Sequence, residues 1–477
     1  MVAATSRVFA RIPGTDLPSK DGKRYLLQGF NVVKSGLLAA GWKSVTANNV
    51  PSEKNRTFCH TPYMFENGER GGPQATYLVS SKARPNFKLW LNTTVEKISR
   101  TNGHATGLVV KATNNGGYVG EIKLTPVTGR VILSAGAFGT PKLLFRSGIG
   151  PTDQLNVVKS SIEGPSMINS SYWINTPVGY NLDDHLNTDL VLSHPNVTYY
   201  DWPASWTTPI TADRDLYFNQ RSGPFAQSAP NIGPIMFEEI KGPDNIVRQF
   251  QWQARVEGSR GQPNGNTMTV SVWLGRGKVS RGRATISSRL NMEVSTIPFG
   301  DVNDMATLAK AIDNMVAALK PVGGLTWLLP APGTTGAQYL ATVPLTLSSI
   351  GERRSNHWIG TAKMGTDSGV QGGTAVVDTN TKVYGTDNIF VVDASIFPGM
   401  VTTNPSALIV TAAEKASEKI LALPYPVPIV KWQQCGGINY LGSQVCVTGT
   451  TCTFGNPYYW QVSFDIPFHN IGNANTD

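Results

Sequence analysis

The residue types best suited to chemistry fall in one stretch, residues 355–405, which opens with Ser355-Asn356-His357-Trp358 and ends on Asn404-Pro405. A neutral imidazole can take a proton near neutral pH, so His357 is a candidate general base; the plainer reading is a hydrogen-bonded core histidine beside Trp358. Asp393 follows the apolar run Ile389-Phe390-Val391-Val392. A carboxylate at the end of a buried strand either faces a ligand or caps the turn that follows. Asn404 reads as a partner in the chemistry or as the cap of a helix whose first residue is Pro405. Taken singly, each of these side chains admits both readings.

The elements around them are readable from periodicity. Residues 389–392 form a short buried strand, and residues 406–423 a helix with Leu408, Ile409, Ala412 and Ala413 on one face. Residues 129–151 run from a buried strand through a glycine turn into a helix, with Thr140 as the expected cap and Pro141 at its first position. Backbone left bare at Gly136 and Gly139 would let a cofactor approach closely, although an ordinary strand-to-helix connection has the same spacing. Upstream, the pattern predicts helical segments within 17–48 and over 75–83. Three strands follow, over 87–98, 107–112 and 121–124, with glycine turns between them. Residues 165–345 alternate in short runs among Pro, Asn and Gly clusters, which predicts an antiparallel sheet with long loops and one helix over 302–319.

After the stiff proline linker at 423–428, residues 432–461 hold Cys435, Cys446 and Cys452, a unit too small to bury a core without staples. Its flat rings, Trp432, Tyr458 and Tyr459, are expected to form a stacking face for sugar rings rather than a miniature interior.

Composition bounds the partners. The 477 residues are 40% hydrophobic and 15% charged, which describes a globular chain with ample core. A net charge of +9 is scattered, with no basic run longer than Arg353-Arg354, so nucleic acid is not expected as a partner. No run of about 18 apolar residues occurs, so no membrane span is expected. There is no C-x-x-C pair and no G-x-S-x-G, which argues against a zinc site and a serine hydrolase, and no metal is expected. Three of the four cysteines lie in the last 43 residues, and N-glycosylation patterns occur at Asn55, Asn92, Asn169 and Asn196. These point to an extracellular protein, although residues 1–12 lack the apolar core of a secretion signal.

Together these residues resemble the glucose-methanol-choline (GMC) family of flavin oxidoreductases. The run Ser-Ala-Gly-Ala-Phe-Gly-Thr-Pro-Lys-Leu-Leu-Phe-Arg-Ser-Gly-Ile-Gly at 134–150 is similar to the family's second signature, and Ser-Asn-His-Trp with Asp393 and Asn404-Pro405 to its C-terminal catalytic segment. Within the family, Asp21-Gly-Lys-Arg-Tyr-Leu, Gly68-Glu-Arg-Gly-Gly-Pro and Arg84-Pro-Asn-Phe are similar to the flavoprotein part of fungal cellobiose dehydrogenases. The last unit resembles a fungal family 1 cellulose-binding module.

The resemblance implies an α/β plus antiparallel β architecture. An incomplete GMC-type FAD-binding domain would occupy 75–164 and 346–422, a lid region of helix and loop 1–74, and a substrate domain 165–345. A linker would span 423–431, a disulfide-stapled β module 432–462, and an unassigned tail 463–477. It implies FAD as cofactor and oxidation of cellobiose or a cello-oligosaccharide at C1 to the lactone. The electrons would pass on to a quinone, a dye or a cytochrome domain that this chain lacks, and a cellulose surface would be bound through Trp432, Tyr458 and Tyr459. His357 would be the base and Asn404 the partner of the same hydroxyl or of the flavin edge. Gly136, Asp393, Asn404 and Pro405 would contact the cofactor, and Val95 its adenine. Phe30, Arg255, Ser355 and Asn356 would line the sugar site, and Cys435 would pair with Cys452.

Two departures qualify these expectations. No G-x-G-x-x-G occurs in the chain, so the unit of about 30 residues that holds the FAD pyrophosphate is expected to be missing, and FAD poorly retained. Val462 stands where the module's fourth cysteine belongs, the residue that pairs in the family with the position of Cys446. The alternatives are a cellulose-binding protein without catalysis, or an alcohol or sugar oxidase of the same family carrying the module.

Overall fold

The computed structural model describes residues 1–227, 232–437, 440 and 442–464, so the expected tail lies outside the described residues from 465 on. Its largest element is a seven-stranded sheet in the order Lys43–Ser44, Thr57–Cys59, Ile235–Lys241, Val247–Arg255, Thr267–Leu274, Leu186–Ser193 and Thr326–Leu329. All neighbours are antiparallel except the first pair. The period-2 alternation of the strands divides the sheet into unlike faces. Phe250, Trp252, Ala254, Met268, Val270, Val272, Leu190 and Leu192 point into the main core. The intervening residues Gln251, Gln253, Arg255, Ser271, Trp273, Asn187 and Asp189 make the other face polar.

Two helices cover the apolar face, Gln28–Ala39 and Val302–Leu319. The longer matches the expected span because its apolar positions recur at helical spacing and Asp301 caps it, accepting from the amides of Asn303 and Asp304. The shorter approaches so closely that a Cβ at Gly36 would lie 2.8–2.9 Å from Val322 and Leu319. The N-terminal segment thus supplies a helix and the two outermost strands at one side of the same sheet.

A second core lies around the parallel pair Val131–Leu133 and Ile389–Val391, the helix Gly136–Arg146, and the antiparallel sheet Thr93–Thr101, His104–Ala112, Gly120–Lys123. The helix begins at Gly136, earlier than its sequence suggests, so Thr140 and Pro141 lie inside it. Pro141 has no amide hydrogen for the carbonyl of Ala137. That carbonyl instead accepts the Thr361 hydroxyl at 2.6 Å. A tertiary contact thereby makes an internal proline tolerable and ties the helix to the chain just after His357.

The last unit is a three-stranded sheet of Gln434–Gly436, Thr450–Asn456 and Tyr459–Phe464, stapled by a Cys435–Cys452 disulfide. Its interior is Ile429, Cys435, Cys452, Trp460 and Val462. Trp432, Tyr458 and Tyr459 are 62%, 66% and 39% exposed, so the small core is filled by other side chains and these rings face solvent. The unit rests on the body. Gln444 donates from its amide to Asp387 at 3.2 Å and from its side chain to the Gly385 carbonyl at 3.1 Å, and Trp460 meets Tyr172 edge-on. Arg130 holds the linker through the Leu423 carbonyl at 2.7 Å and lies over the Tyr425 ring.

Val462 is fully buried opposite Cys452, with Cys446 packed against the same cluster. A second bridge there would restrict the unfolded module, an effect of about 2–5 kcal/mol for small domains. Val462→Cys is therefore expected to raise the module's melting midpoint under oxidising conditions only and to strengthen cellulose pull-down. Unchanged melting of an oxidised variant would show that the position tolerates valine without loss.

Candidate active site

The site is organised by Asn181-Leu182-Asp183-Asp184-His185, which enters the central sheet at Leu186. The backbone of Asp183 pairs with Ile359 in both directions at 3.0 Å, laying this segment beside the one that carries His357. The buried Asp184 carboxylate accepts the amides of His185 and His357 at 2.8 Å and of Ser355 at 3.0 Å. Burial pushes this carboxyl up to about 7, against the downward pull of those amide donors. Asp183, buried as well, meets Lys278 at 2.5 Å and Arg281 at 3.2 Å. Burial raises the Asp183 carboxyl and lowers the Lys278 ammonium, and their attraction works against both shifts.

Two imidazoles follow from this framing. Nδ1 of His357 lies 3.1 Å from Nδ1 of His185, with the rings perpendicular. Nε2 of His185 lies 2.8 Å from the Val401 carbonyl. Nε2 of His357 lies 3.2 Å from Nδ2 of Asn404, whose Oδ1 accepts from the Gln251 side chain at 3.0 Å. Trp273 stands edge-on to His357 at 5.2 Å and is oriented by donating to Asn187 at 2.8 Å. Burial lowers His357 to about 4 and His185 to about 3, so both rings are neutral at neutral pH. Ligand-type atoms of Asp184, His185 and His357 lie within 4.8 Å of one another, the spacing of a metal site. Here the carboxylate serves backbone amides and the two Nδ1 atoms serve each other.

The sequence-expected residues fall into two groups. His357 and Asn404 are brought together. Asn404 does not cap the helix Ser406–Ala422: Pro405, itself buried, takes the cap position, and no side chain among the described residues caps it. Ser355 lies in the same framework, with a buried Oγ that has no hydrogen-bond partner among the described residues. The exposed Asn356 takes a left-handed conformation at φ 58°, which asparagine tolerates. Phe30 is 3% exposed in the main core, its ring stacked on His60 and tilted against Phe58; it is not among the rings around His357. Arg255 lies on the polar sheet face, held by Asp189 at 3.0 Å and by Glu257 and Ser271.

The cofactor side is built by Asp393. Its Oδ2 accepts the Gly136 amide at 2.9 Å and the Thr140 hydroxyl at 2.5 Å, while Oδ1 accepts the Ser395 amide at 2.8 Å. The carboxylate therefore shapes the turn through protein donors. Gly136 has φ 78°, and a Cβ there would meet nothing within 4 Å among the described residues. The N-cap residue Ala135 makes no side-chain cap bond of its own; the Asp393 carboxylate takes the first helical amide instead, beside the exposed Ser134 and Ala135. Val95 sits at a bulge in the strand Thr93–Thr101, which packs on the same helix. Backbone without a side chain at Gly136 leaves room for a close approach, so the residues present fit FAD on this side and at His357.

The residues missed by sequence reasoning are Asp184, His185, Gln251 and Trp273. Two carboxylates and a histidine in succession between Leu182 and Leu186 were the available signal, because charges on a buried strand require partners. Gln251 and Trp273 carried none beyond strand alternation.

Comparison with known proteins bears on identity. The GMC oxidoreductase models match residues 15–187 and 278–413, together more than half of the chain, and the fungal cellulose binding domain matches 431–459. A glucose-methanol-choline family oxidoreductase of Annulohypoxylon moriforme is 28% identical over 380 residues, covering 75% of this chain and 60% of that protein. An oxygen-dependent choline dehydrogenase of Sinorhizobium fredii is 27% identical over 368 residues, covering 74% and 61%. The chain thus spans about three fifths of the length of these relatives. Among solved structures, an FAD-dependent oxidoreductase from Chaetomium thermophilum aligns with a TM-score of 0.64 at 19% identity, covering 83% of this chain and 72% of that one. Formate oxidase of Aspergillus oryzae gives 0.64 at 20%, covering 83% and 70%. At such identities these two show a shared fold. The chain belongs to the GMC oxidoreductase family, whose members are FAD-dependent flavoproteins, and carries a fungal cellulose binding domain.

Proposed function

We propose that this chain carries the catalytic and substrate-binding part of an FAD-dependent oxidoreductase that converts the C1 hydroxyl of cellobiose or a related cello-oligosaccharide to the lactone at a cellulose surface. The observation that carries this reading is the His357–Asn404 pair, 3.2 Å apart beside the polar sheet face, in one chain with a cellulose binding domain. FAD, when bound, supplies the acceptor for the C1 hydride. His357 takes the hydroxyl proton on the ring nitrogen that faces Asn404, and Asn404 Nδ2 donates to the same oxygen. The unpartnered Ser355 Oγ and the exposed Asn356 are placed to hold neighbouring sugar hydroxyls. Arg255 and Phe30 act more remotely, as parts of the polar face and of the core behind it.

The bare backbone at Gly136 would lie against the ribityl or pyrophosphate portion, Val95 against the adenine through backbone atoms, and Asp393 would keep that turn in shape. Asn404 and Pro405 would abut the flavin edge. Trp432, Tyr458 and Tyr459 would stack on cellulose. The electrons would leave to a quinone, a dye or a cytochrome domain. An extracellular location accords with the disulfide and with the exposure of Asn55, Asn92, Asn169 and Asn196. A second reading, an alcohol or sugar oxidase joined to the same module, is favoured by relatives and neighbours named choline dehydrogenase and formate oxidase.

Incubated with FAD, the protein is expected to reduce a dye with cellobiose far faster than with choline or simple alcohols, and to use oxygen poorly. Preference for an alcohol with oxygen would select the second reading. His357→Gln should lower kcat/KM by about 10²- to 10⁴-fold, the scale of a lost general base.

The pH dependence follows from burial of His357. Its neutral form is the base, and its protonation is held down to about 4. Activity should therefore rise with pH through about 4 and stay level across neutrality; a rise centred near the ordinary histidine value of about 6.5 would place the base elsewhere.

With no G-x-G-x-x-G in its sequence, the polypeptide alone is expected to retain FAD poorly. Purified protein showing a flavin absorption spectrum near full occupancy would overturn this.

A further inference from the structure

We propose that His185 is a positioning residue that sets the tautomer of His357, presenting an unprotonated Nε2 to the substrate hydroxyl. The inference rests on the reading of His357 as the base and assigns a role to a second, wholly buried histidine.

The argument is one of hydrogen-bond direction. A carbonyl oxygen only accepts, so the 2.8 Å contact between His185 Nε2 and the Val401 carbonyl requires a proton on that nitrogen. A neutral imidazole has one N–H and one lone pair, so His185 Nδ1 then carries the lone pair. Burial holds His185 neutral, with its protonation lowered to about 3. The 3.1 Å contact between the two Nδ1 atoms therefore needs its proton from His357. With Nδ1 protonated, neutral His357 has its lone pair on Nε2, toward Asn404.

The opposite end agrees. Gln251 donates to Asn404 Oδ1 at 3.0 Å, which turns the Asn404 amide so that Nδ2 donates toward His357 Nε2 at 3.2 Å. Asp184 fixes the relative position of the rings by accepting the backbone amides of both. When His357 takes the substrate proton at Nε2, it becomes an imidazolium whose Nδ1–H still points at the His185 lone pair. The same contact therefore orients the base beforehand and stabilises its charge afterwards. Without His185, the proton of His357 would be free to occupy Nε2, where it blocks proton uptake.

Ring-nitrogen NMR on protein labelled with ¹⁵N-histidine reads this directly, since the chain has only 6 histidines. In the unsubstituted protein at neutral pH, His357 Nε2 is expected to give an unprotonated, pyridine-type signal and Nδ1 a pyrrole-type signal, with His185 the reverse. Comparison with His357→Gln assigns the signals. His185→Asn, whose side-chain oxygen replaces the acceptor near Nδ1, should keep the His357 pattern, whereas His185→Leu should move protonation toward Nε2 and lower kcat/KM at least tenfold in FAD-loaded protein. A protonated His357 Nε2 in the unsubstituted protein would overturn the proposal whether or not the variants fold. A folded His185→Leu variant with unchanged ring signals would do the same. If the expected tautomers are found but cellobiose is not oxidised, the functional reading fails while the positioning role stands.

Discussion

The Asp184 carboxylate is the interaction on which the site depends. It gathers the amides of His185, Ser355 and His357 from two segments far apart in sequence and places two imidazoles within hydrogen-bonding distance. A carboxylate with no solvent is costly unless its lone pairs are met, and three amide donors meet them. They do not cancel the burial cost, since the carboxyl still sits at about 7. The neighbouring Asp183, with Lys278 and Arg281, anchors the same turn from the other side. Removing one member of such a buried set leaves a charge unpaired, at about 3–5 kcal/mol, so the histidines rest on a support that tolerates little change.

The sheet beneath explains why this support can be rigid. Its apolar face is closed by two helices, so strand alternation leaves a polar face whose side chains are fixed by cross-strand partners. Gln251 and Trp273 sit opposite each other in register and reach Asn404 and His357 respectively. Asp189, Ser271 and Arg255 form a second bonded group further along the same face. The residues around the base are thus held by strands that also carry the main core, and site geometry is tied to core packing.

Legibility in the sequence followed locality. The helix Val302–Leu319 was readable because its periodicity and its cap lie within the element. The His357–Asn404 pair was readable by resemblance, although the residues alone left Asn404 open between a chemical partner and a cap, and the structure shows it is not a cap. The start of the helix at Gly136 was not readable. Its internal proline is accommodated by the Thr361 hydroxyl, more than 200 residues away in the chain. Asp184 and His185 were missed for the same reason, since their partners lie at Ser355, His357 and Val401. Phe30 and Arg255 were assigned to the sugar site by resemblance alone; ring stacking holds the first in the main core and an ion pair holds the second along the polar sheet face.

The base side and the cofactor side of the site are mechanically one unit. Thr361, just after His357, holds the Ala137 carbonyl of the helix that begins at bare Gly136. Asp393 holds the Gly136 amide and the Ser395 amide, and the carbonyls at 394 and 395 accept the amides of Gly360 and Ala362. Phe138 on that helix packs edge-on against Trp358, next to the base. The glycine turn is therefore linked to the segment that carries His357 through hydrogen bonds and one aromatic contact. The position of the base is in this sense set from three directions: by Asp184 through the backbone, by His185 and Asn404 through the ring, and by the Gly136 turn through Thr361 and Trp358.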